Sequence, residues 1–249
     1  MKIKSIACLF AVAAASVYGD VVSQNEFGVL KVTCDSQKAI IATPWVKCGD
    51  ASASVKVTDL VMTSGLETGD AIIVYQGGNF KAWAISSGAW TPTTIVDGSN
   101  SYPGGSAADA AVARGEAFWF VKNSFTAGDT YDLYLYGQKS TAAATATITS
   151  GAYNLIASPS VSDTNMNSPS LSFTPPNAND EIQVPNAATN LPPTTYTYKS
   201  GQGWGSKVKT AINGHPGEYV SKWTVGCTIP AGRGFWYVSK GANGGPISW

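Results

Sequence analysis

The chain repeats itself, and that duplication restricts its fold more than any other feature. Ile40-Ile41-Ala42-Thr43-Pro44 recurs as Leu155-Ile156-Ala157-Ser158-Pro159. Gly115-Glu116-Ala117-Phe118-Trp119-Phe120-Val121 recurs as Gly232-Arg233-Gly234-Phe235-Trp236-Tyr237-Val238. The offsets are about 115 and about 117 residues, so both matches keep one order and nearly one spacing. Between them, each copy holds an acid ahead of a strand (Gly69-Asp70 and Asn179-Asp180), aromatic alternation, and a Gly-rich turn leading to Trp90 or Trp204. Such self-similarity means one supersecondary unit used twice.

Alternation makes that unit a β unit. Phe80, Ala82 and Ala84 point one way while Lys81, Trp83 and Ile85 point the other, and Tyr196 and Tyr198 alternate with Thr197 and Lys199. Period-two spacing of aromatic and β-branched residues between Gly and Ser clusters is the pattern of a half-buried strand. Further strands are expected at Phe27–Val32, Ile72–Tyr75, Ala117–Lys122, Tyr131–Tyr136, Ala144–Thr149 and Phe235–Ser239. Ser86-Ser87-Gly88 and Ser200-Gly201-Gln202-Gly203 suit hairpin turns. Tyr131–Tyr136 is expected to open the second unit as Phe27–Val32 opens the first. Helix is confined to a turn capped by Thr58 and running from Asp59 to Ser64, with Ala107–Ala113 as a weaker candidate beside a loop reading. Prolines at Pro175, Pro176, Pro185, Pro192 and Pro193 make the middle of the second copy irregular or edge-like. The expected fold is all-β: two tandem diverged antiparallel units, sandwich- or barrel-like, over residues 20–128 and 129–249, with few short helical turns.

Residues 1–19 read as a secretory signal peptide. Lys2 and Lys4 precede an apolar run from Ile6 to Ala15, and small residues follow up to Gly19. Cleavage is expected after Gly19, with Ala15 as second choice. The run is about ten residues and a membrane-crossing helix needs about 20, so no span is expected in the mature chain. Cys8 precedes most of the apolar run, whereas a lipidated cysteine would follow it. Charged residues are only 13% of the chain, and sixteen Lys and Arg balance sixteen Asp and Glu. Without a basic stripe, nucleic-acid binding through phosphate neutralisation has no footprint.

Export permits a disulfide among Cys34, Cys48 and Cys227, which allow three single bridges. A local clip between Cys34 and Cys48 is the preferred pairing, worth about 3 kcal/mol in the loop-entropy picture. Metal binding is disfavoured, because the cysteine spacing is not that of a zinc knuckle and the one histidine, His215, sits in the turn Asn213-Gly214-His215-Pro216-Gly217.

With its opening strand, the segment GDAIIVYQGGNFKAW and the closing elements GEAFWFV and GRGFWYV, the chain resembles a family of uncharacterised exported two-repeat β proteins of Verrucomicrobia-like bacteria. The resemblance covers Phe27 to about Val238. It implies export and a two-unit architecture, and no activity comes with it. The cysteines and the proline-rich second middle depart from that pattern.

No nucleophile–base pair stands out: there is no Gly-x-Ser-x-Gly elbow, and His215 is the sole imidazole. Gly201-Gln202-Gly203-Trp204-Gly205 lacks the Lys-Ser/Thr pair of a phosphate loop and reads as a hairpin turn. Paired carboxylates are the remaining catalytic option, from Glu67 with Asp70, Asp180 with Glu181, and Glu116. Position 116 becomes Arg233 in the other copy, which speaks against a shared acid–base role. An acid ahead of a strand commonly binds local backbone amides instead. Asp97-Gly98-Ser99-Asn100-Ser101 is oxygen-rich but lacks EF-hand ligand spacing. No cofactor or metal site is expected.

Phe118, Trp119 and Phe120, with Phe235, Trp236 and Tyr237, read as core or as the contact between units. Trp83, Trp90, Trp204 and Trp223 lie near turns and are candidate ligand platforms, although burial as turn plugs competes with that reading. The expected function is that of a secreted, non-catalytic structural or adhesive protein of the cell envelope or extracellular space, with a surface glycan or another envelope protein as partner. A carbohydrate-binding module using those tryptophans is the first alternative, and a carboxylate-dependent glycoside hydrolase is the second.

Overall fold

The computed structural model describes residues 27–47, 54–76, 79–140, 144–169, 177–185, 192–211, 213, 219–242 and 244–249. The expected leader with its cleavage points, Cys8, Cys48, Pro175, Pro176 and His215 lie outside them. In chain order the first elements are β1 (Phe27–Cys34), β2 (Lys38–Ala42), β3 (Ser54–Lys56), the helical turn α1 (Val57–Leu60), β4 (Ala71–Gln76), β5 (Asn79–Ser86) and β6 (Ala89–Pro92). Then come β7 (Ile95–Asp97), β8 (Asn100–Tyr102), β9 (Ala111–Ala113), β10 (Ala117–Val121) and β11 (Tyr131–Gln138). The remainder holds β12 (Thr145–Ile148), β13 (Tyr153–Ala157), β14 (Thr164–Asn165), β15 (Glu181–Val184) and β16 (Thr194–Lys199). It continues with β17 (Gly203–Ala211), β18 (Tyr219–Val225), β19 (Thr228–Ile229), β20 (Gly234–Val238) and β21 (Gly245–Ser248). No helix among the described residues is long and apolar enough to cross a membrane.

The fold is all-β with antiparallel sheets, and among the described residues no sheet closes into a barrel. The larger sheets run in matching order, β2-β10-β4-β5-β6 and β13-β20-β15-β16-β17-β18. Smaller pairs match too: β1 with β11 corresponds to β12 with β21, and β3 with β9 to β14 with β19. Each large sheet packs its inner face on those smaller pairs, giving two sandwich-like halves. Ile41, Phe118, Phe120, Ile72 and Trp83 meet Val32, Leu133 and Leu135 in one core, and Ile156, Phe235, Tyr237, Ile182 and Trp204 meet Ile148, Ile229 and Ile247 in the other.

Three local expectations need correction. The strand at Tyr131, expected to open the second unit, pairs along its whole length with β1 and sends Leu133 and Leu135 into the first core. Alternation identifies a strand but carries no information about its partner. The helical turn starts at Val57 after Lys56, with no side-chain cap, rather than at a Thr58 cap. Ala111–Ala113 is a strand paired with β3, not helix. The hairpin at Ser87-Gly88 is as expected: both residues have positive φ, 51° and 76°, which a two-residue hairpin of right-handed twist requires.

The halves meet about a local two-fold. Ala42 donates to the Gly232 carbonyl at 2.9 Å, and its counterpart Ala157 donates to the Gly115 carbonyl at 2.8 Å. Ile40, Ala42 and Ala117 pack there against Leu155 and Ala157, with Trp119 and Trp236 beside them. This is an isologous contact inside one chain, each patch meeting its own copy. Near such an axis equivalent atoms crowd one another. A Cβ on Gly234 would lie 2.6 Å from the Cβ of Ala117, its counterpart, and 2.5 Å from Ile40 Cγ2. Only one methyl fits, so the divergence between these positions is steric.

Gly234→Ala should therefore cost about 1–3 kcal/mol by overpacking. Adding Ala117→Gly should recover part of it, the contact with Ile40 remaining, as read by thermal or urea denaturation. An unaffected single variant would disprove the crowding.

Candidate functional site

Alternation gives each large sheet an outer face as well as a core face, and aromatic rings collect on it. Tyr75 on β4 sits across from Phe80 on β5, with ring centroids 4.8 Å apart. Phe80 also meets Tyr102 and Trp119, each at 5.4 Å. Trp119 meets Trp236 across the two-fold at 5.4 Å, and Trp236 meets Tyr153 at 6.0 Å. The result is a continuous stripe of rings running from one half to the other. Its ends stand in solvent, Tyr75 at 46% exposure and Tyr153 at 60%, while Phe80, Trp119 and Trp236 are half-buried. Tilted and edge-on pairs at such distances add about 0.5–1.5 kcal/mol each beyond area burial. The stripe is thus both glue and surface: flat apolar rings bounded by phenol hydroxyls.

The four candidate platform tryptophans do not form this surface. Trp83 and Trp204 are 2% and 1% exposed, because they occupy inward positions opposite Ile72 and Tyr198. Trp90 is half-buried against the first core. Trp223 is half-buried too: its ring lies over Gly205, where a Cβ would come within 2.9 Å, and the Lys199 ammonium sits 3.8 Å from its centroid. The rings that do reach the surface were legible only as outward members of alternating strands.

The matched acids are backbone staples. Asp70 is fully buried; Oδ2 accepts from the Glu67 amide and Lys122 Nζ, and Oδ1 accepts from the Asn123 amide, all at 2.9 Å. Asp180, equally buried, accepts from the Asn177 amide at 3.1 Å and the Lys240 amide at 2.7 Å. Both tie the turn before a central strand to the end of β10 or β20. The charged partner differs: where the first half uses Lys122, the second uses the hydroxyl of Tyr237, the counterpart of Phe120. Glu67 joins Lys122 at 3.1 Å, Glu181 pairs with Lys240 at 3.2 Å, and Glu116 accepts from the Ala113 amide. Burial raises the Glu116 pKa. Asp180, just ahead of β15, is fully buried, whereas Glu181, the first residue of that strand, is only half-buried.

Asp97 takes the Lys38 ammonium beside a plain hairpin turn at Gly98-Ser99. Among the described residues no three His, Cys, Asp or Glu side chains converge as metal ligands. A groove of about 390 Å³ is lined by Ser158, Pro159, Asp163, Thr164, Asn165 and Trp249. Its side chains mostly bind their own loop: Ser158 bonds Thr164 at 2.6 Å, Asp163 accepts from the Ala231 amide, and Asn165 from the Asn167 amide.

Cys34 and Cys227 are buried free thiols in different cores. Burial raises both, Cys227 to about 12. The preferred partner of Cys34, Cys48, lies outside the described residues. Alkylation of the native protein should leave the Cys34 and Cys227 peptides unmodified, and denaturant should open both. A peptide cross-linked through either, found by mass spectrometry, would contradict this.

Alkali should unfold the protein. Burial lowers the Lys122 pKa, but its bonds to Asp70 and Glu67 outweigh that and leave it above 10.5. Burial, then Asp180, pushes Tyr237 far above 10.0. The folded state thus keeps protons that the unfolded chain releases, so this stability is intact below about pH 10 and is lost as pH rises beyond it. Tyr237→Phe should cost about 1–3 kcal/mol at neutral pH, by leaving Asp180 short of a donor, and should flatten the alkaline loss in urea midpoints. An unchanged neutral midpoint would remove the staple.

Compared with known protein families, with curated proteins and with solved structures, the chain matches none.

Proposed function

We propose that this is a non-catalytic protein of the cell envelope or extracellular space that works by adhesion, with the aromatic stripe as its contact surface. The export signal in the sequence supports the location. The stripe carries the reading of function: partly exposed rings, contributed by both halves, form one surface whose ends have no core to fill. Large exposed apolar patches commonly mark contact sites, and aromatic side chains are enriched where proteins bind partners. The matched carboxylates favour a non-catalytic role, since Asp70 and Asp180 spend their oxygens on backbone amides and on Lys122 or Tyr237.

A carbohydrate ligand is the second reading. Indole and phenol rings offer the flat apolar face and hydroxyl edge that a sugar ring packs against. It moves from the turn tryptophans to Tyr75, Phe80, Trp119, Trp236 and Tyr153.

The mature protein should be tested on immobilised glycans and on purified envelope proteins, beside Tyr75→Ser/Tyr153→Ser. These exposed sites can change without opening either core, and the double variant should bind about tenfold more weakly or worse. Undiminished binding would remove the stripe from the proposal. Binding to glycans alone would select the second reading, and cleavage of any bound polymer would end the non-catalytic one.

A further inference from the structure

The second half carries an element that the first does not. Where β6 stops after four residues at Pro92, its counterpart β17 runs on for nine. Pairing with β16 ends at Gly205, and beyond it β17 holds only β18. Lys207, Val208, Lys209, Tyr219, Val220, Ser221 and Lys222 are all exposed, so both faces of this two-stranded ribbon stand in solvent.

The ribbon also concentrates unneutralised charge. Residues 194–225 contain Lys199, Lys207, Lys209 and Lys222, and their only acid is Glu218, outside the described residues. Several lysines elsewhere meet carboxylates: Lys31 with Asp132, Lys47 with Asp59, Lys122 with Asp70, Lys240 with Glu181. Lys207, Lys209 and Lys222 have no ion-pair partner among the described residues. Lys207 and Lys209 project from one face about 7 Å apart along the strand. Lys199 joins them on that face above Trp223, the cross-strand neighbour of Lys207, while Lys222 projects from the other.

We propose that this ribbon binds an acidic polysaccharide, whose repeating carboxylate or sulfate groups are neutralised by Lys199, Lys207 and Lys209 on one face. The match is one of charge: a line of ammonium groups in a chain of zero net charge fits a linear polyanion. A lipid surface fits less well, because Lys222 sits opposite Val208 and Lys207 opposite Trp223, leaving neither face apolar enough to insert. Single-stranded nucleic acid needs an open ring for base stacking, and the Trp223 ring is already engaged by the Lys199 ammonium and packed on Gly205. The site is independent of the aromatic stripe.

The test is binding of the mature full-length protein to immobilised polygalacturonate, with neutral dextran, phosphatidylglycerol vesicles and a single-stranded oligonucleotide as parallel arms. Polygalacturonate should bind and weaken steeply with added salt. Lys207→Gln/Lys209→Gln should weaken it about tenfold or more with an unchanged melting temperature, while Tyr75→Ser/Tyr153→Ser should bind as before. Equal binding by the lysine variant, equal retention on dextran, or binding confined to vesicles or oligonucleotide would overturn the proposal. So would a lysine variant that aggregates yet binds normally, since the lysines would then only be guarding an open strand edge.

Discussion

In β10 and β20 alternate residues pack on opposite faces of the sheet. Phe118 and Phe120, like Phe235 and Tyr237, look into the core of their own half, while Ala117, Trp119, Gly234 and Trp236 look into the junction. A strand packed on both faces leaves little room for solvated side chains, which is why these segments read as unbroken apolar runs. The rest of the architecture follows from that. Each half needs a small sheet pair to cover its inner face, and the two outer faces must cover each other. The junction is correspondingly tight, with a glycine facing an alanine at the axis.

The two halves share mechanical parts while the chemistry around them differs. Asp70 and Asp180 do one job, anchoring a turn of positive φ (Gly69 at 94°, Asn179 at 70°) to the end of the neighbouring strand. The compensating donor was free to change from an ammonium on Lys122 to a phenol on Tyr237, because either satisfies a buried carboxylate oxygen. Glu116 and Arg233 diverged further: Arg233 reaches across the junction to the Thr33 carbonyl and Asp35, whereas Glu116 stays with its own turn.

Away from these shared parts the halves differ, and there the surfaces differ in character. The stripe crosses the junction and belongs to both halves, neutral and aromatic. The lysine ribbon belongs to the second half alone. A shared scaffold held by buried staples leaves such surfaces free to vary at little cost to stability, since exposed positions tolerate substitution far better than the core.

Much of the fold was legible in the sequence. The alternating strands and the Ser87-Gly88 hairpin rest on local rules of spacing and φ, and they reappear in the structure. So does the split that sends Phe118 and Trp119 to opposite faces. What local rules lack is the identity of the partner. The same alternation that marked Tyr131–Tyr136 as a strand left open whether it belonged to the first half or the second, and only pairing with β1 decided. Trp83 and Trp204 stand beside turns in sequence, yet cross-strand register turns them into the cores, while Tyr153 and Tyr75 are turned outward. Charge behaved likewise: four lysines scattered between 199 and 222 form no stripe in the sequence. Composition and periodicity determined that this chain is an all-β protein; which rings and charges share a surface depended on long-range pairing, which brings together residues that no spacing rule connects.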